Sequence, residues 1–312
     1  MASSGLVRKG FTLLVLIVCL APAVSAQIND QLSAYTGANA KGYLLPLANA
    51  FGTDLNTGIF RSASIPRMHP TVRLEIEVMS VIFGDGDKTF RAVTEQGFSP
   101  AQRVEAPTIV GSEKAVLVEG DGGTTYAFPG GFNFHSFALA APQLRIGGIY
   151  GTEAIIRYFA LKISGEGDES KDLGDIGLFG FGLKHSISQH IARTLPVDLS
   201  AGFFWQRFTL GKNKEGDHLM TSNAFSFGVQ ASKKLAMFFV PYAGLSYDTH
   251  KMDLSYDSKA TGTEKTVDVN FEGTSTMHLT LGLMFNAPVV NLFGEYDIAS
   301  QSSFSFGVGL GF

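Results

Sequence analysis

The last eleven residues, 302–312, constrain the fold of this chain most strongly. Apolar and small side chains alternate there, so a β-strand would place the two sets on opposite faces. The apolar face consists of Phe304, Phe306, Val308, Leu310 and Phe312. The other face carries only Ser and Gly. An uncharged edge strand with such a face would aggregate in water, whereas lipid outside and a lumen inside suit both faces. The segment therefore predicts the last strand of a transmembrane β-barrel.

Six other segments show the same two-residue alternation. In residues 71–83, for example, aliphatic Val72 and Leu74 alternate with Arg73 and Glu75. Charges toward a lumen and aliphatic side chains toward lipid are typical of transmembrane barrels. One amphipathic strand is common in any protein, whereas six favour a barrel. The six segments are residues 71–83, 152–163, 197–210, 223–232, 276–285 and 290–298.

The polar face of these strands supplies the candidate site residues. We predict that the following side chains face the lumen: Arg73, Glu75, Glu77, Glu153, Arg157, His278, Glu295 and Asp297. Most of them are expected to pair with one another and to hold the barrel interior together. A minority could set the selectivity for a permeant, because lumen substitutions tune that property in barrels.

The N-terminal 26 residues have the organisation of a secretory signal peptide. Arg8 and Lys9 precede an apolar run from residue 11 to residue 20, and Val24-Ser25-Ala26 forms a small-residue cleavage site. We therefore expect cleavage before residue 27 and export of the mature chain. The one cysteine lies within the discarded peptide, so the mature chain can form neither disulfides nor thiolate metal sites.

Charge and hydropathy exclude several classes of protein. Removing the signal peptide leaves 22 of the 24 basic residues against 28 acidic ones, a formal net charge of about −6. No basic patch is present, and a nucleic-acid partner is therefore not predicted. No mature segment reaches the roughly 18 consecutive apolar residues of a membrane helix. A mature chain in a bilayer must then be a closed barrel, because every backbone polar group needs a partner there.

Residues 27–51 differ from the rest of the mature chain. Apolar residues recur at roughly helical spacing, which predicts an amphipathic helix of roughly 15 to 20 residues. We expect Pro46 to break it. Two interpretations of this segment remain open: a short helix packed on the barrel rim, or a plug inside the lumen.

Residues 52–312 are predicted to form the barrel, with a long insertion at 84–142. Because bacterial single-chain barrels normally have an even number of strands, a twelfth is expected within 84–142, at 132–139 or 108–119. We predict about twelve strands, with ten or fourteen as alternatives, and 264–286 as one long strand projecting beyond the bilayer. The rest of the insertion is expected to constrict the lumen or cover its outer mouth. Eleven predicted strands span 52–63, 71–83, 143–150, 152–163, 173–187, 197–210, 222–233, 237–251, 264–286, 289–299 and 302–312.

Motifs for catalysis or cofactor binding are weak in this sequence. The glycine-rich stretches at 180–182 and 307–311 lie in predicted strands and open no helix, which excludes a dinucleotide loop. The acidic turns at 84–87 and 168–172 lack the full calcium-ligand spacing. We predict no cofactor, no metal and no enzymatic activity. A membrane-embedded hydrolase with a Ser–His pair at His278 is the least favoured alternative, because nothing marks a particular serine as the partner.

Several short motifs resemble a family of uncharacterised bacterial envelope proteins, a domain-of-unknown-function family. They are Ala34-Tyr35, Leu45-Pro46-Leu47, Phe51-Gly52, Leu55-Asn56-Thr57-Gly58, Pro107-Thr108-Ile109, Gly151-Thr152-Glu153, Arg157-Tyr158 and Gly182-Leu183-Lys184-His185. The resemblance implies an outer-membrane barrel similar to long-chain fatty-acid transporters, with no established activity and no catalytic or binding residues. The ending in Phe312 also resembles the carboxy-terminal signal of outer-membrane barrels, and implies recognition by the barrel-assembly machinery.

Together these patterns predict an all-β, antiparallel transmembrane barrel in the bacterial outer membrane, with a short N-terminal helical segment. Passive transport of small solutes is the predicted function, and the family resemblance extends it to hydrophobic solutes. The alternative is a non-conducting structural or surface-interaction barrel. The predicted partners are outer-membrane lipid, the assembly machinery and a small solute.

Overall fold

Ten antiparallel strands close into a barrel in the computed structural model, which describes residues 35, 37–162, 175–191, 195–211, 219–258, 265–273 and 276–311. The described strands are β1 (Thr71–Ile82), β2 (Thr89–Val93), β3 (Arg103–Pro107), β4 (Val116–Glu119), β5 (Thr125–Phe128), β6 (Ser136–Ile149), β7 (Thr152–Lys162), β8 (Asp175–Ser186), β9 (Asp198–Leu210), β10 (Met220–Ser232), β11 (Phe239–Ser258), β12 (Lys265–Glu272), β13 (Thr276–Asn286), β14 (Val290–Ile298) and β15 (Ser303–Gly311). The ring runs β10-β9-β8-β7-β6-β1-β15-β14-β13-β11 and closes through pairing of β10 with β11.

The predicted antiparallel barrel is confirmed; its ring of ten strands is one of the two alternatives to the favoured count of about twelve, which is too high. Residues 52–63 are not a strand: 52–56 end a helix, and 57–63 lie inside the lumen. Neither proposed twelfth strand exists, because 132–139 leads into β6 and 108–119 includes only the short β4. The other ten predicted strands correspond to the ten strands of the ring.

The predicted long strand at 264–286 consists of two strands that follow one another along the same neighbour. β12 pairs with residues 251–258 of β11, and β13 pairs with residues 239–248. The break comes at Gly273, and residues 274–275 are outside the described part of the chain. The β11–β12 hairpin extends beyond the ring, as the predicted projection requires.

The two faces of the strands differ as the alternation predicts. On β15, Phe304, Phe306, Val308 and Leu310 are exposed on the barrel exterior, while Ser303 and Ser305 are buried inside. Phe312 lies outside the described residues. Large apolar side chains are exposed around the barrel, for example Leu281 on β13. An exposed apolar surface of this kind suits contact with lipid.

The two ends of the barrel are unlike each other. We call the end that carries residues 83–135 the insert end; its insertion forms two hairpins, β2–β3 and β4–β5. We call the opposite end the turn end; there, short connections at 150–151 and 287–289 join neighbouring strands.

Helix α1 (Gly37–Asn56) lies in the lumen and contacts the inner wall and the insertion. The expected break at Pro46 is wrong: the helix continues through this residue, which is buried. Burial of Pro46 and of Tyr43, Leu44 and Ala48 in the same helix offsets the lost helical hydrogen bond. Within the described residues, no helix combines the length and the apolarity needed to cross a bilayer. The predicted signal peptide, residues 1–26, lies outside the described residues.

Candidate functional site

Residues 37–66, which we call the lumen segment, run through the barrel from the insert end to the turn end. At the insert end, the Tyr43 hydroxyl donates to the Gly130 carbonyl (3.0 Å), and the Ile109 amide donates to the Tyr43 carbonyl (2.9 Å). Near the turn end, the Arg67 carbonyl accepts from the Tyr150 amide (2.9 Å). The helix therefore lies within the barrel and not on its rim, whereas a role as a plug stays a prediction.

The C-terminus of α1 is capped by side chains of the barrel wall. Arg157 donates to the carbonyls of Leu55 (3.2 Å) and Thr57 (2.8 Å), and Gln206 also donates to the Leu55 carbonyl. These carbonyls have no partner within a helix, and the negative end of the helix dipole favours a cation there. The helix thus ends where the wall presents Arg157.

Gly58 lets the chain leave the helix at this point. Its φ of +75° is in the left-handed region that favours glycine at a helix C-terminus. A Cβ there would also lie 2.7 Å from a carboxylate oxygen of Glu77. The Gly58 amide donates to Glu295 of β14 (2.8 Å), so a second strand of the wall also holds the turn.

Buried ionic groups surround the extended part of the lumen segment. We call them the charge network: Arg61, Glu75, Glu77, Arg145, Glu153, Arg157 and Lys184. Arg61 comes from the lumen segment and donates to Glu77 (2.8 Å) and to Glu75. Arg157 also donates to Glu77 (2.6 Å). Removing charges from water is tolerable only when partners and hydrogen bonds compensate, and this network supplies both.

The network continues along β6, β7 and β8. Arg145 donates to Glu75 and to Glu153 (2.9 Å each), and Lys184 lies 2.8 Å from Glu153. Arg145 and Lys184 also hold backbone of the lumen segment, donating to the Ile59 carbonyl (2.6 Å) and the Ser62 carbonyl (2.9 Å). The wall charges therefore fix the position of the segment as well as each other.

A second cluster of polar residues lies nearer the insert end, where a cavity of about 220 Å³ separates α1 from β11, β13 and β14. We call it the acidic cavity. His278 sits between two carboxylates: its Nδ1 contacts Asp248, and its Nε2 lies 3.7 Å from Asp297. Asp297 also accepts from the Thr280 hydroxyl. Among the described residues, no serine hydroxyl is hydrogen-bonded to His278, so the Ser–His pair considered above is not formed.

The residues predicted to face the lumen do not all belong to one site. Glu75, Glu77, Glu153 and Arg157 join the charge network, and His278 and Asp297 line the acidic cavity. Glu295 lies between them, accepting from the Tyr242 hydroxyl at 2.7 Å. Arg73 contacts Asn286 on the wall (3.0 Å). A role of any of them in selectivity stays a prediction.

Four charged residues named above were not among the predicted lumen-facing residues. Arg145, Lys184 and Asp248 lie on the polar face of alternating strands, and this signal could have identified them. Arg61 lies in an irregular segment, where no periodicity assigns a direction to its side chain.

Comparisons with known proteins were made against families, curated proteins and solved structures. The model of a "Family of unknown function (DUF6588)" matches residues 7–312. The comparison with curated proteins found no match. Among solved structures, the chain is similar to the outer membrane protease OmpT from Escherichia coli (10% identity, TM-score 0.35), covering 80% of this chain and 98% of that one. It is also similar to the P. putida toluene transporter TodX (9% identity, TM-score 0.30, 89% and 94% covered). A third is the translocator domain of autotransporter NalP from Neisseria meningitidis (10% identity, TM-score 0.30, 84% and 92% covered). Likenesses this low carry no information on activity.

Proposed function

The chain belongs to this family of unknown function, and from that premise we propose that it is an outer-membrane barrel for passive transport of small polar solutes. In this proposal the lumen segment is a plug, and transport follows its displacement. The insert end faces outward and the turn end faces the periplasm, since outer-membrane barrels carry long loops outside and short turns inside. The apolar exterior and the expected export signal support this location.

The observation that carries the proposal is the polar contact between the plug and the wall. From Leu55 to Ala63, the segment accepts hydrogen bonds from Arg157, Arg145 and Lys184. The Ala63 amide donates to the Ser232 hydroxyl (2.8 Å). A wall that offers charges and hydroxyl groups can be hydrated once the segment leaves, whereas an apolar wall could not. The same polarity favours polar solutes over hydrophobic ones.

Locking the plug to the wall tests the proposal. The hydroxyl oxygens of Thr57 and Ser303 lie 3.0 Å apart, and the expected mature chain has no cysteine of its own. The double variant Thr57→Cys, Ser303→Cys should therefore form one disulfide between the plug and β15. In planar bilayers we expect channel openings of the native protein and of the reduced double variant, and loss of the openings of the double variant on oxidation.

Two controls make the result interpretable. A second pair, Ser62→Cys with Ser232→Cys, joins the plug to β10, where the native hydroxyl oxygens are 3.5 Å apart. Its channel openings should also be lost on oxidation. Each single cysteine variant should conduct under both conditions. Channel openings that persist in both oxidised double variants would contradict a plug that must move. Absence of channel openings in the native protein and in the reduced variants would contradict transport itself.

The alternative is a non-conducting structural or surface-interaction barrel. It is favoured by one observation: apolar residues of α1 and of the insertion form a buried cluster that includes Tyr43, Leu44, Ile109 and Phe128. This cluster fixes the plug at the insert end and presents the two hairpins outside. Absence of conductance in the native protein and in every variant would favour it. Since the contacts of His278 are with carboxylates, we propose no catalytic role.

A further inference from the structure

The acidic cavity has an excess of negative charge. Its lining includes the carboxylates of Asp87, Asp248 and Asp297, and no Lys or Arg among the described residues. The histidines His250 and His278 are the other titratable groups there. His278 is shared between two of the carboxylates, which leaves the cavity with unbalanced acceptors.

Buried polar atoms around the cavity lack partners within the described part of the chain. They are Asp248 Oδ1, His250 Nε2 and Asn56 Oδ1, and each residue is more than nine-tenths buried. Asn56 uses its amide nitrogen to reach the Thr249 carbonyl (3.3 Å), so its oxygen remains free to accept. Buried acceptors without donors are unfavourable unless water or a ligand satisfies them.

His250 is held in place beside the cavity by close packing. A Cβ on Gly52 of α1 would lie 2.3 Å from its ring, so only glycine allows the helix to approach this closely. The plug and the wall therefore build this side of the cavity together.

We propose that the acidic cavity binds a small organic ligand through a protonated amine. An ammonium group has three donors and no acceptor, which matches a site that offers carboxylate, amide and imidazole acceptors. An anion would meet Asp248 and Asp297 without a compensating Lys or Arg. The binding concerns the plugged barrel and does not depend on displacement of the plug.

Size and geometry favour an organic amine over a bare metal ion. The volume of about 220 Å³ has room for several water molecules or a small organic molecule. Among the described residues, no group of three or more His, Cys, Asp or Glu side chains is arranged to hold a metal ion. Hydroxyl groups of Thr53, Thr276 and Ser303 also line the cavity and can contact the rest of a polar ligand.

Calorimetric titration of the refolded mature protein in detergent tests the proposal. The probes are 1,4-diaminobutane, neutral 1,4-butanediol and anionic succinate, which have the same four-carbon chain length. We expect the diamine to bind at least tenfold more tightly than the diol, and succinate to give no binding. Equal binding of all three probes, or no binding of the diamine, would overturn the proposal.

Variants of cavity residues test whether the diamine binds in the acidic cavity. Asp248→Asn and, on the helix, Asn56→Leu should each weaken diamine binding at least fivefold, while Glu105→Gln on the exposed β2–β3 hairpin should leave it unchanged. Circular dichroism and fluorescence of Trp205 identify variants that remain folded. Unchanged diamine binding in a folded Asp248→Asn or Asn56→Leu protein would refute the site. Because binding is measured on the closed barrel, failure here is distinguishable from absence of conductance.

Discussion

The charge network and the acidic cavity both lie on the inner wall of the barrel, but their carboxylates have different partners. In the network, Glu75 and Glu77 are paired with arginines from the wall and with Arg61 from the plug. In the cavity, Asp248 and Asp297 share one histidine and face an open volume. The lumen segment therefore completes one cluster of carboxylates and leaves the other incomplete.

The difference shows what a buried carboxylate does in each place. A buried ion pair that loses one partner leaves an uncompensated charge. Separating the lumen segment from the wall would break such pairs, so the charge network stabilises their association. The cavity keeps unpaired acceptors that contribute nothing to that association. We infer that the network stabilises the closed barrel, whereas the cavity is shaped for a partner that the chain does not provide.

The largest expected effect comes from removing a network cation. Arg157→Met removes one of the two arginine donors to Glu77 and the donor to the Thr57 carbonyl, and should lower the free energy of unfolding by about 3–5 kcal/mol. Urea titration followed by circular dichroism measures the change. Arg91→Met, which removes the exposed partner of Glu105, should shift it by less than about 1 kcal/mol. Equal losses in the two variants would contradict the special role of the network.

A smaller change should loosen the plug without unfolding the barrel. Arg61→Gln weakens the charge-assisted hydrogen bonds between the plug and β1, which are worth about 1.5–3 kcal/mol. At 1.4 kcal/mol per factor of ten, channel openings should become about 10- to 100-fold more frequent. Single-channel recording measures this, with Lys251→Gln at the exposed rim as the control. An unchanged opening frequency for Arg61→Gln would argue against gating by the plug.

The cavity can be converted into a second network by supplying a cation. Thr53→Lys places an amine on the cavity side of α1, where it should pair with the carboxylates and raise the free energy of unfolding by roughly 1 kcal/mol. Diamine binding should be lost in the same variant. Thermal unfolding and calorimetry measure the two effects; Thr53→Met, of similar length but uncharged, should not stabilise the barrel. If both variants behaved alike, electrostatics would not explain the site.

The smallest expected effect is the loss of one cavity carboxylate. Asp248→Asn removes the charge but keeps the shape of the side chain and an oxygen that can still accept from His278, so the free energy of unfolding should change by only about 1 kcal/mol. Glu77→Gln, the same type of change inside the network, should cost several times more. Urea titration of both variants measures the two free energies of unfolding. A larger decrease in Asp248→Asn than in Glu77→Gln would contradict the difference between the cavity and the network.

The strands and their facing directions could be predicted from the sequence because both follow from a local two-residue period. Residues 71–83 show this well, with Glu75 and Glu77 inside and Leu74 outside as predicted. One of the two extra strands came from the expectation of an even number, which placed it within 84–142. The other came from 52–63, where the pattern is ambiguous. There the chain changes from helix to an extended run whose partners are wall side chains, and no local signal distinguishes that run from a strand.

Most contacts within the two clusters could not be predicted, because they join residues from different strands or segments of the chain. Arg61 meets Glu77 across a turn at the barrel rim, and His278 meets Asp248 from a neighbouring strand. Alternation indicates that a side chain points inward but not its depth or its partner. The course of the plug depends on the assembled wall, since Pro46 would end an isolated helix.

The path of the lumen segment also limits how the barrel can be assembled. Tyr35 lies at the insert end, where its carbonyl accepts from the Tyr256 hydroxyl (3.0 Å), while β1 begins at the turn end. The segment and β1 thus form a long hairpin, and β1 pairs with both β6 and β15 to complete the ring. Pushing a 20-residue helix, about 30 Å long, through a finished ring would require breaking the wall's own contacts. We therefore expect the lumen segment to be in place before β1 pairs with β15, so that the barrel closes around this segment.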